Sequence, residues 1–198
     1  MNDAGTRAIA FFNDRYAIDP PVLSSLLAVA LSRGGDFAEL FFEHRTNSAI
    51  AFEDQRVKSA SKNIAQGMGV RVVKGAAIGY AYTEALDLAA MRKAAQTAGQ
   101  IGSADERSPL VNATPASYST SYYDVRAPLS EEPSAVKVAL LERADRAARA
   151  YDPSVTRVDA SIGDELKYVM IARSDGSVIG DVQPLIRMNV SVVSERDG

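Results

Sequence analysis

The chain has 198 residues, of which 46% are hydrophobic and 24% charged, a composition typical of a folded globular protein. Its net charge of -3 gives no electrostatic reason to expect nucleic acid or an anionic membrane as a partner. No apolar run has the length that a membrane-spanning helix requires, and the N-terminus does not have the pattern of a secretory signal. We therefore expect a cytoplasmic protein.

About three helices are predicted. The first follows Asp19, a capping residue, and ends at Gly34-Gly35. The second covers about residues 86–101. The third is predicted to begin at Ser130 as its capping residue and to end before Asp152-Pro153. Its predicted buried face consists of Val136, Leu140, Ala144, Ala147 and Tyr151.

The remaining periodic segments alternate with a period of two, which indicates strands. They form two similar groups, with turns expected at Asp54-Gln55 and Lys74-Gly75 in the first. The predicted strands are 37–45, 48–53, 57–60, 69–73, 77–82, 157–162, 167–173, 177–181 and 186–193. Runs of strands and runs of helices without strict alternation predict an α+β fold with largely antiparallel, meandering sheets.

Two segments have no predicted regular structure. Residues 1–19 are interpreted as an N-terminal extension, and residues 103–129 as a long irregular loop, of a length that is usually functional or mobile. Tyr118, Tyr122 and Tyr123 in this loop either present an aromatic surface or pack back on their own domain.

Gly67 and Gly69 lie in Gln66-Gly-Met-Gly-Val-Arg71, a stretch that superficially resembles a phosphate-binding loop. The spacing fits neither common form of that loop, and a strand follows where a helix N-terminus is needed. The glycines are better explained by a bend, a bulge or a close backbone approach at the start of a strand.

No catalytic constellation is complete. The chain has no cysteine and one histidine, His44, whereas a catalytic zinc ion is usually held by three protein ligands. We therefore predict no metal site and no catalytic residue here, and interpret His44 as a partly exposed residue at a strand end.

The last predicted strand places Ile186, Met188, Val190 and Val192 on one face, followed by Asp197-Gly198, a dipeptide typical of hairpin turns. A returning strand is therefore expected beyond residue 198. Without such a neighbour, the last strand is predicted to be an exposed sheet edge that is prone to association.

Three segments in order resemble the N-terminal part of the TldD/PmbA family, metalloproteases also known as modulators of DNA gyrase. They are "DFAELFFEHR", "FEDQRVKSASKNIAQGMGVRVVKGAAIGYAYTE" and "SDGSVIGDVQPLIRMNVSVVSERDG". The resemblance covers about residues 20–198. The segment Asp181, Pro184, Leu185 and Arg187 is more similar to the TldD branch than to the PmbA/TldE branch.

The resemblance implies a cytoplasmic peptidase that cleaves peptides or unfolded polypeptides as a TldD–TldE pair. Its zinc lies in a C-terminal domain with an H-E-x-x-x-H motif, which no segment of this sequence matches. Residues 1–198 then form an N-terminal domain that contributes to the substrate passage and to the interface with a TldE/PmbA-like subunit or with itself. Within it, Gly67, Gly69 and Arg71 are the candidate substrate-binding residues.

A second hypothesis is a binding or assembly module that pairs with a TldE-like partner without catalysis. The reading frame after Gly198 distinguishes the two: an H-E-x-x-x-H motif favours a protease, and a stop codon favours the module. A nucleic-acid-binding role is not expected, because the sequence has no basic face.

Overall fold

A computed structural model describes residues 4–100, 113–115 and 128–196. The helices are α1 Ala4–Tyr16, α2 Pro20–Leu31, α3 Leu88–Gly99 and α4 Ser134–Tyr151, and a 3-10 turn covers Leu129–Glu131. The strands are β1 Phe37–Glu53, β2 Arg56–Lys74, β3 Ala77–Thr83, β4 Thr114–Pro115, β5 Val155–Arg173 and β6 Ser177–Ser194. The predicted α+β class is confirmed.

The strands hydrogen-bond in the order β3-β2-β1-β5-β6-β4. Several pairs of short predicted strands are in fact continuous: residues 37–45 and 48–53 both belong to β1, and 157–162 and 167–173 to β5. β2 pairs antiparallel with β3 from Met68 to Lys74, whereas β4 pairs parallel with β6 at two positions. Within the described ranges, the strands are therefore fewer and longer than the sequence predicted.

The turn between β1 and β2 is the one that the sequence predicted. Asp54 and Gln55 have φ angles of 47° and 59°, and a tight hairpin turn of this type requires positive φ at both central residues. Asp tolerates this left-handed region better than most residues. The local sequence thus specifies the turn that allows the two long strands β1 and β2 to pair.

Contacts divide the chain into two compact units. The first comprises Met1–Arg45, Ala65–Tyr122 and Lys167–Val182, and the second Thr46–Ile64, Tyr123–Leu166 and Gln183–Gly198. The long strands β1, β2, β5 and β6 each contribute residues to both units.

In the first unit, helix α1 occupies a segment for which the sequence analysis predicted no structure. Ala8 and Phe12 of α1 are fully buried, and the Phe11 ring stacks on Tyr168 of β5 at 3.9 Å between centroids. Helix α2 begins as predicted, since the Asp19 carboxylate accepts a hydrogen bond from the Val22 amide at 2.9 Å. Residues 4–19 therefore contribute to the core, and α1 raises the number of helices in the described residues to four.

In the second unit, helix α4 begins later than predicted. Ser130 lies in the 3-10 turn, and α4 starts at Ser134 with Pro133 in the capping position. A proline disfavours the helical region for the residue before it, and Glu132 has φ -75° and ψ 148°, which is extended. The prediction that Ser130 caps this helix is therefore wrong.

The buried face of α4 also differs from the prediction. The structure buries Lys137, Leu141 and Asp145, whereas Val136 is 41% exposed and Tyr151 90% exposed. Leu141 packs in a cluster on the sheet; its other members are Ile50, Phe52, Ala160 and Ile162. The prediction was based on apolar residues alone, so it did not consider a face that carries two charged residues.

A buried ion pair of the Lys137 ammonium explains why this face of α4 is the buried one. Its Nζ lies 2.6 Å from Asp164 Oδ2 and donates a hydrogen bond to Ser48 Oγ at 2.7 Å. Ser48 Oγ in turn donates to Asp164 Oδ2 at 2.6 Å. The two charged side chains are only 4% and 1% exposed. Buried charges are tolerated when they are paired and hydrogen-bonded, so this cluster sets the rotation of α4 on its sheet.

We expect Leu141→Ala to destabilise the chain by about 2 to 5 kcal/mol, because it leaves a cavity in the cluster. Val136→Ala is the matched control on the face that the sequence predicted, and should change stability by no more than about 0.5 kcal/mol. Urea unfolding of both variants measures the difference. Equal losses would contradict the observed burial.

Candidate binding groove on the first unit

The sheet of the first unit has one face that points away from its buried core. Leu40 and Phe42 of β1, and Met68 and Val70 of β2, are buried. Because successive side chains of a strand point to opposite faces, the odd-numbered residues of both strands lie on the other face, called here the outer face. This face contains Gly67, Gly69 and Arg71, the three candidate substrate-binding residues.

A groove lies on the outer face beside the glycines. It has a volume of about 240 Å³. Three aromatic side chains contribute to its wall, and Phe41, Tyr80 and Tyr82 are 41%, 66% and 71% exposed. The full lining consists of Phe41, Glu43, Ala65, Gln66, Gly67, Met68, Gly69, Tyr80, Tyr82, Thr83 and Glu84.

Close approaches across the β2–β3 pair limit the space for a side chain at both glycines. A Cβ at Gly69 would lie 2.9 Å from the Tyr80 hydroxyl, and a Cβ at Gly67 would lie 2.8 Å from the backbone oxygen of Thr83. An aromatic side chain laid across a strand glycine is a known device for stabilising such a pair. The close backbone approach that the sequence suggested is found at Gly67, whereas at Gly69 the approaching group is a side chain.

Arg71 does not line the groove. Its Nε donates a hydrogen bond to Glu39 Oε1 at 2.7 Å, and its guanidinium lies 5.8 Å from the centroid of the Phe37 ring. The hydrogen bond to Glu39, with the attraction of the same carboxylate, raises the pKa of Arg71. The structure therefore brings two of the three candidate residues together in a groove and places the third in an ion pair beside it.

His44 is not the exposed strand-end residue that the sequence suggested. It is 4% exposed, its Nδ1 lies 2.7 Å from the Tyr16 hydroxyl, and its ring centroid is 4.9 Å from that of Phe11. Burial, followed by the positive charge of Arg15, lowers the pKa of His44. The interpretation as partly exposed was wrong because helix α1, which covers the ring, was not predicted.

The residues that the structure describes do not fit a zinc site. Among them there is no group of three or more His, Cys, Asp or Glu side chains placed to hold a metal ion. Likewise, none of the helices within the described ranges is long and apolar enough to cross a membrane. Tyr118, Tyr122 and Tyr123 lie outside the described residues.

Two family models match the chain. The model for PmbA/TldA metallopeptidase domain 1 matches residues 38–102, and the model for the PmbA/TldA metallopeptidase central domain matches residues 127–198. Together they cover more than half of the chain. A protein named metalloprotease TldD homolog, from Haemophilus influenzae, is 30% identical over 180 residues. The alignment covers 89% of this chain and 37% of that relative.

Solved structures share the fold. TldE from Thermococcus kodakarensis superposes with a TM-score of 0.66 at 17% identity, covering 88% of this chain and 40% of that one. A Bacteroides thetaiotaomicron protein named as a candidate modulator of DNA gyrase gives a TM-score of 0.66 at 13% identity. It covers 90% of this chain and 41% of that one. At these identities the likeness concerns the fold alone.

We expect Gly67→Ala to cost more stability than Gly69→Ala. The new methyl group at residue 67 meets a backbone oxygen, which moves only with its strand, so a loss of about 1 to 3 kcal/mol follows. At residue 69 it meets the end of the exposed Tyr80 side chain, which can rotate away at little cost. Urea unfolding of the two variants tests this order. A larger loss for Gly69→Ala would show that Tyr80 is fixed in place.

The lowered pKa of His44 predicts a pH-dependent stability. Its folded-state pKa lies below the ordinary value of 6.5, so the unfolded chain binds the proton more readily. The stabilisation is complete above about pH 6.5 and is lost as the pH falls through the folded-state pKa. We expect His44→Gln to flatten the fall of Tm between pH 7.5 and pH 5. Tyr16→Phe, which keeps the imidazole, is the control that should retain the fall; unchanged pH dependence in His44→Gln would contradict the assignment.

Proposed function

Because the chain belongs to the PmbA/TldD metallopeptidase family, we propose that it is the N-terminal part of a TldD-like zinc metalloprotease. In this proposal it forms the substrate passage and the partner interface of an enzyme that cleaves peptides or unfolded polypeptides. It is not catalytic alone.

The observation that carries this proposal is the order and extent of the match. The first and the central family domains align in sequence order, and the alignment spans 37% of the Haemophilus influenzae relative. That relative is named a metalloprotease. The matched domains are named as the first and the central ones of the family, which supports placing this chain before the remainder of such a protein.

The zinc chemistry is assigned to the part of the relatives that this chain does not span. A zinc ion bound there would polarise the scissile carbonyl and activate a water molecule. This sequence has one histidine and no cysteine, so none of those ligands is assigned to its positions. The contribution of residues 1–198 in this proposal is to bind and orient the polypeptide.

Two features of the described residues support a binding role. Strand β3 pairs with β2 only from Met68 to Lys74, so residues 56–64 of β2 have no outer neighbour among the described residues. An extended polypeptide binds such an edge through main-chain hydrogen bonds. On the first unit, the groove beside Gly67 and Gly69 offers a place for a side chain.

We expect the purified 198-residue chain to contain no stoichiometric zinc and to lack chelator-sensitive cleavage of an unfolded protein such as reduced, alkylated casein. Metal analysis and a fluorescence-release assay measure both quantities. Zinc at one equivalent together with cleavage that a chelator abolishes would refute the proposal that the chain is inactive alone.

A second candidate function is a binding or assembly module that pairs with a TldE-like subunit without catalysis. It is favoured by a row of apolar side chains on β6, where Ile186, Met188, Val190 and Val192 are 54%, 41%, 44% and 51% exposed. Among the described residues, the outer edge of β6 has a neighbour only at Ser177 and Val178, which pair with β4. An exposed apolar strand edge is a typical site of association.

This second candidate predicts a complex with the TldE-like subunit from the same genome. Val190→Lys should weaken the complex at least about tenfold, because burying an unpaired ammonium costs more than 1.4 kcal/mol. Asn189→Lys, on the opposite face of the same strand, should have little effect. Size-exclusion chromatography with light scattering gives the stoichiometry, and titration calorimetry the affinity. Equal effects of both variants would exclude the apolar row from the interface.

A further inference from the structure

The outer face of β1 carries the same pair of residue types twice. Phe37 and Glu39 form the first pair, and Phe41 and Glu43 form the second, four residues further along the strand. Their even-numbered neighbours Ala38, Leu40 and Phe42 are fully buried, which places both pairs on the outer face. Each pair therefore offers an aromatic ring beside a carboxylate.

The first pair already holds a guanidinium from the chain itself. Arg71 donates to Glu39 at 2.7 Å and lies over the Phe37 ring at 5.8 Å from its centroid. The face of an aromatic ring attracts a cation within about 6 Å, and a carboxylate adds a charge-assisted hydrogen bond. This arrangement shows that a ring and a carboxylate at this spacing can bind a guanidinium.

The second pair lies beside the two glycines. Phe41 and Glu43 line the groove together with Gly67 and Gly69 of β2, where no side chain is present to fill the space. The lining also contains two further aromatic rings, Tyr80 and Tyr82, and a second carboxylate, Glu84. We propose that the groove binds the guanidinium or ammonium side chain of an arginine or lysine in a polypeptide.

The charge and size of the groove support this ligand. Its lining contains two carboxylates, Glu43 and Glu84, and no basic side chain. Arg45 Nε lies 3.8 Å from Glu43, a long contact that uses only part of the acceptor capacity of a carboxylate. A volume of about 240 Å³ is below the roughly 300 Å³ at which small-molecule pockets begin, so it suits one side chain.

This inference rests on the proposed function for the presence of a polypeptide and adds a preference for basic side chains. It makes the outer face, not only a strand edge, part of the substrate passage. The tyrosines would contact the aliphatic stem and the charged end of the basic side chain, and Glu43 and Glu84 would accept its hydrogen bonds.

The test compares two peptides that differ only in charge. Titration calorimetry of the 198-residue chain is performed with Ac-Ala-Ser-Ala-Arg-Ala-Ser-Ala-amide and with the same peptide carrying citrulline, the neutral analogue of arginine. We expect the arginine peptide to bind at least about tenfold more tightly, and its affinity to fall with added salt. Equal affinities, or no binding of either peptide, would overturn the inference.

Variants locate the site. Tyr82→Leu and Glu84→Gln should each weaken the arginine peptide about two- to fivefold and leave the citrulline peptide unchanged. Tyr151→Leu and Glu142→Gln, on helix α4 of the second unit, are the matched controls and should change neither affinity. If Tyr82→Leu alters only the sedimentation of the chain, the outer face is a self-association surface and the inference is wrong.

The outcomes separate this inference from the proposed function. Binding of both peptides with equal affinity refutes the preference for basic side chains while leaving a polypeptide-binding domain in place. Stoichiometric zinc and chelator-sensitive cleavage refute the proposed inactivity of the chain, whatever the peptides do.

Discussion

The alternation of side chains along β5 is the constraint on which the rest of the structure depends. Every even-numbered residue of this strand from Val158 to Ala172 is buried, and every odd-numbered one is more exposed. Since a slip of one residue would exchange the two faces, the pattern specifies the register of the strand from Val158 to Ala172. In each unit the buried residues of β5 meet helices: Tyr168 contacts α1 in the first, and Ile162 contacts α4 in the second.

The outer face of the sheet, on the side opposite its buried residues, follows from the same alternation of side chains. In the first unit it carries Phe41 and Glu43 of β1 together with the glycines of β2, because these are the odd-numbered positions. Large, exposed aromatic residues on such a face are unusual for a surface that contacts only water. The groove and the Arg71–Glu39 pair therefore both arise from the alternation of side chains along the strands of the sheet.

The ion pair between Lys137 and Asp164 shows how charge decides packing in the second unit. Taking two charges out of water is costly, and their attraction compensates only when the remaining hydrogen-bonding groups are also satisfied. Ser48 bonds to both partners, which supplies part of this compensation, whereas Asp164 Oδ1 is buried without a hydrogen-bond partner among the described residues. Turning α4 by one residue to bury Val136 would separate the ammonium from its carboxylate, so the charged face is the buried one.

The two strand edges of the second unit that lack a neighbour among the described residues differ in chemistry. Residues 56–64 of β2 include Arg56, Lys58 and Lys62, and basic residues on an edge discourage the pairing of identical chains. The end of β6 instead carries Leu185, Ile186 and Met188, all more than 40% exposed. Of the two edges, the apolar one is therefore the better suited to association with another chain.

The sequence by itself determined the features that depend on local chemistry. Asp19 caps α2, Asp54-Gln55 turns the first long hairpin, and period-two patterns identify the strands, because each of these signals acts between residues that are close in the chain. The order of three segments indicated the family. The close backbone approach at Gly67 was also among the interpretations that the sequence offered, since glycine at a strand often marks such an approach.

Only the tertiary structure decided the features that depend on distant residues. The burial of His44 requires Tyr16 and Phe11 of helix α1, the exposed position of Val136 follows from Lys137 meeting Asp164, and Arg71 is held by Glu39. These partners are 27 to 33 residues apart in the sequence, and their contacts depend on which strand lies beside which helix. A pattern of apolar residues carries no information about a buried charge until its partner is in place, and this is the physical reason why the sequence identified the elements but not the faces that they bury.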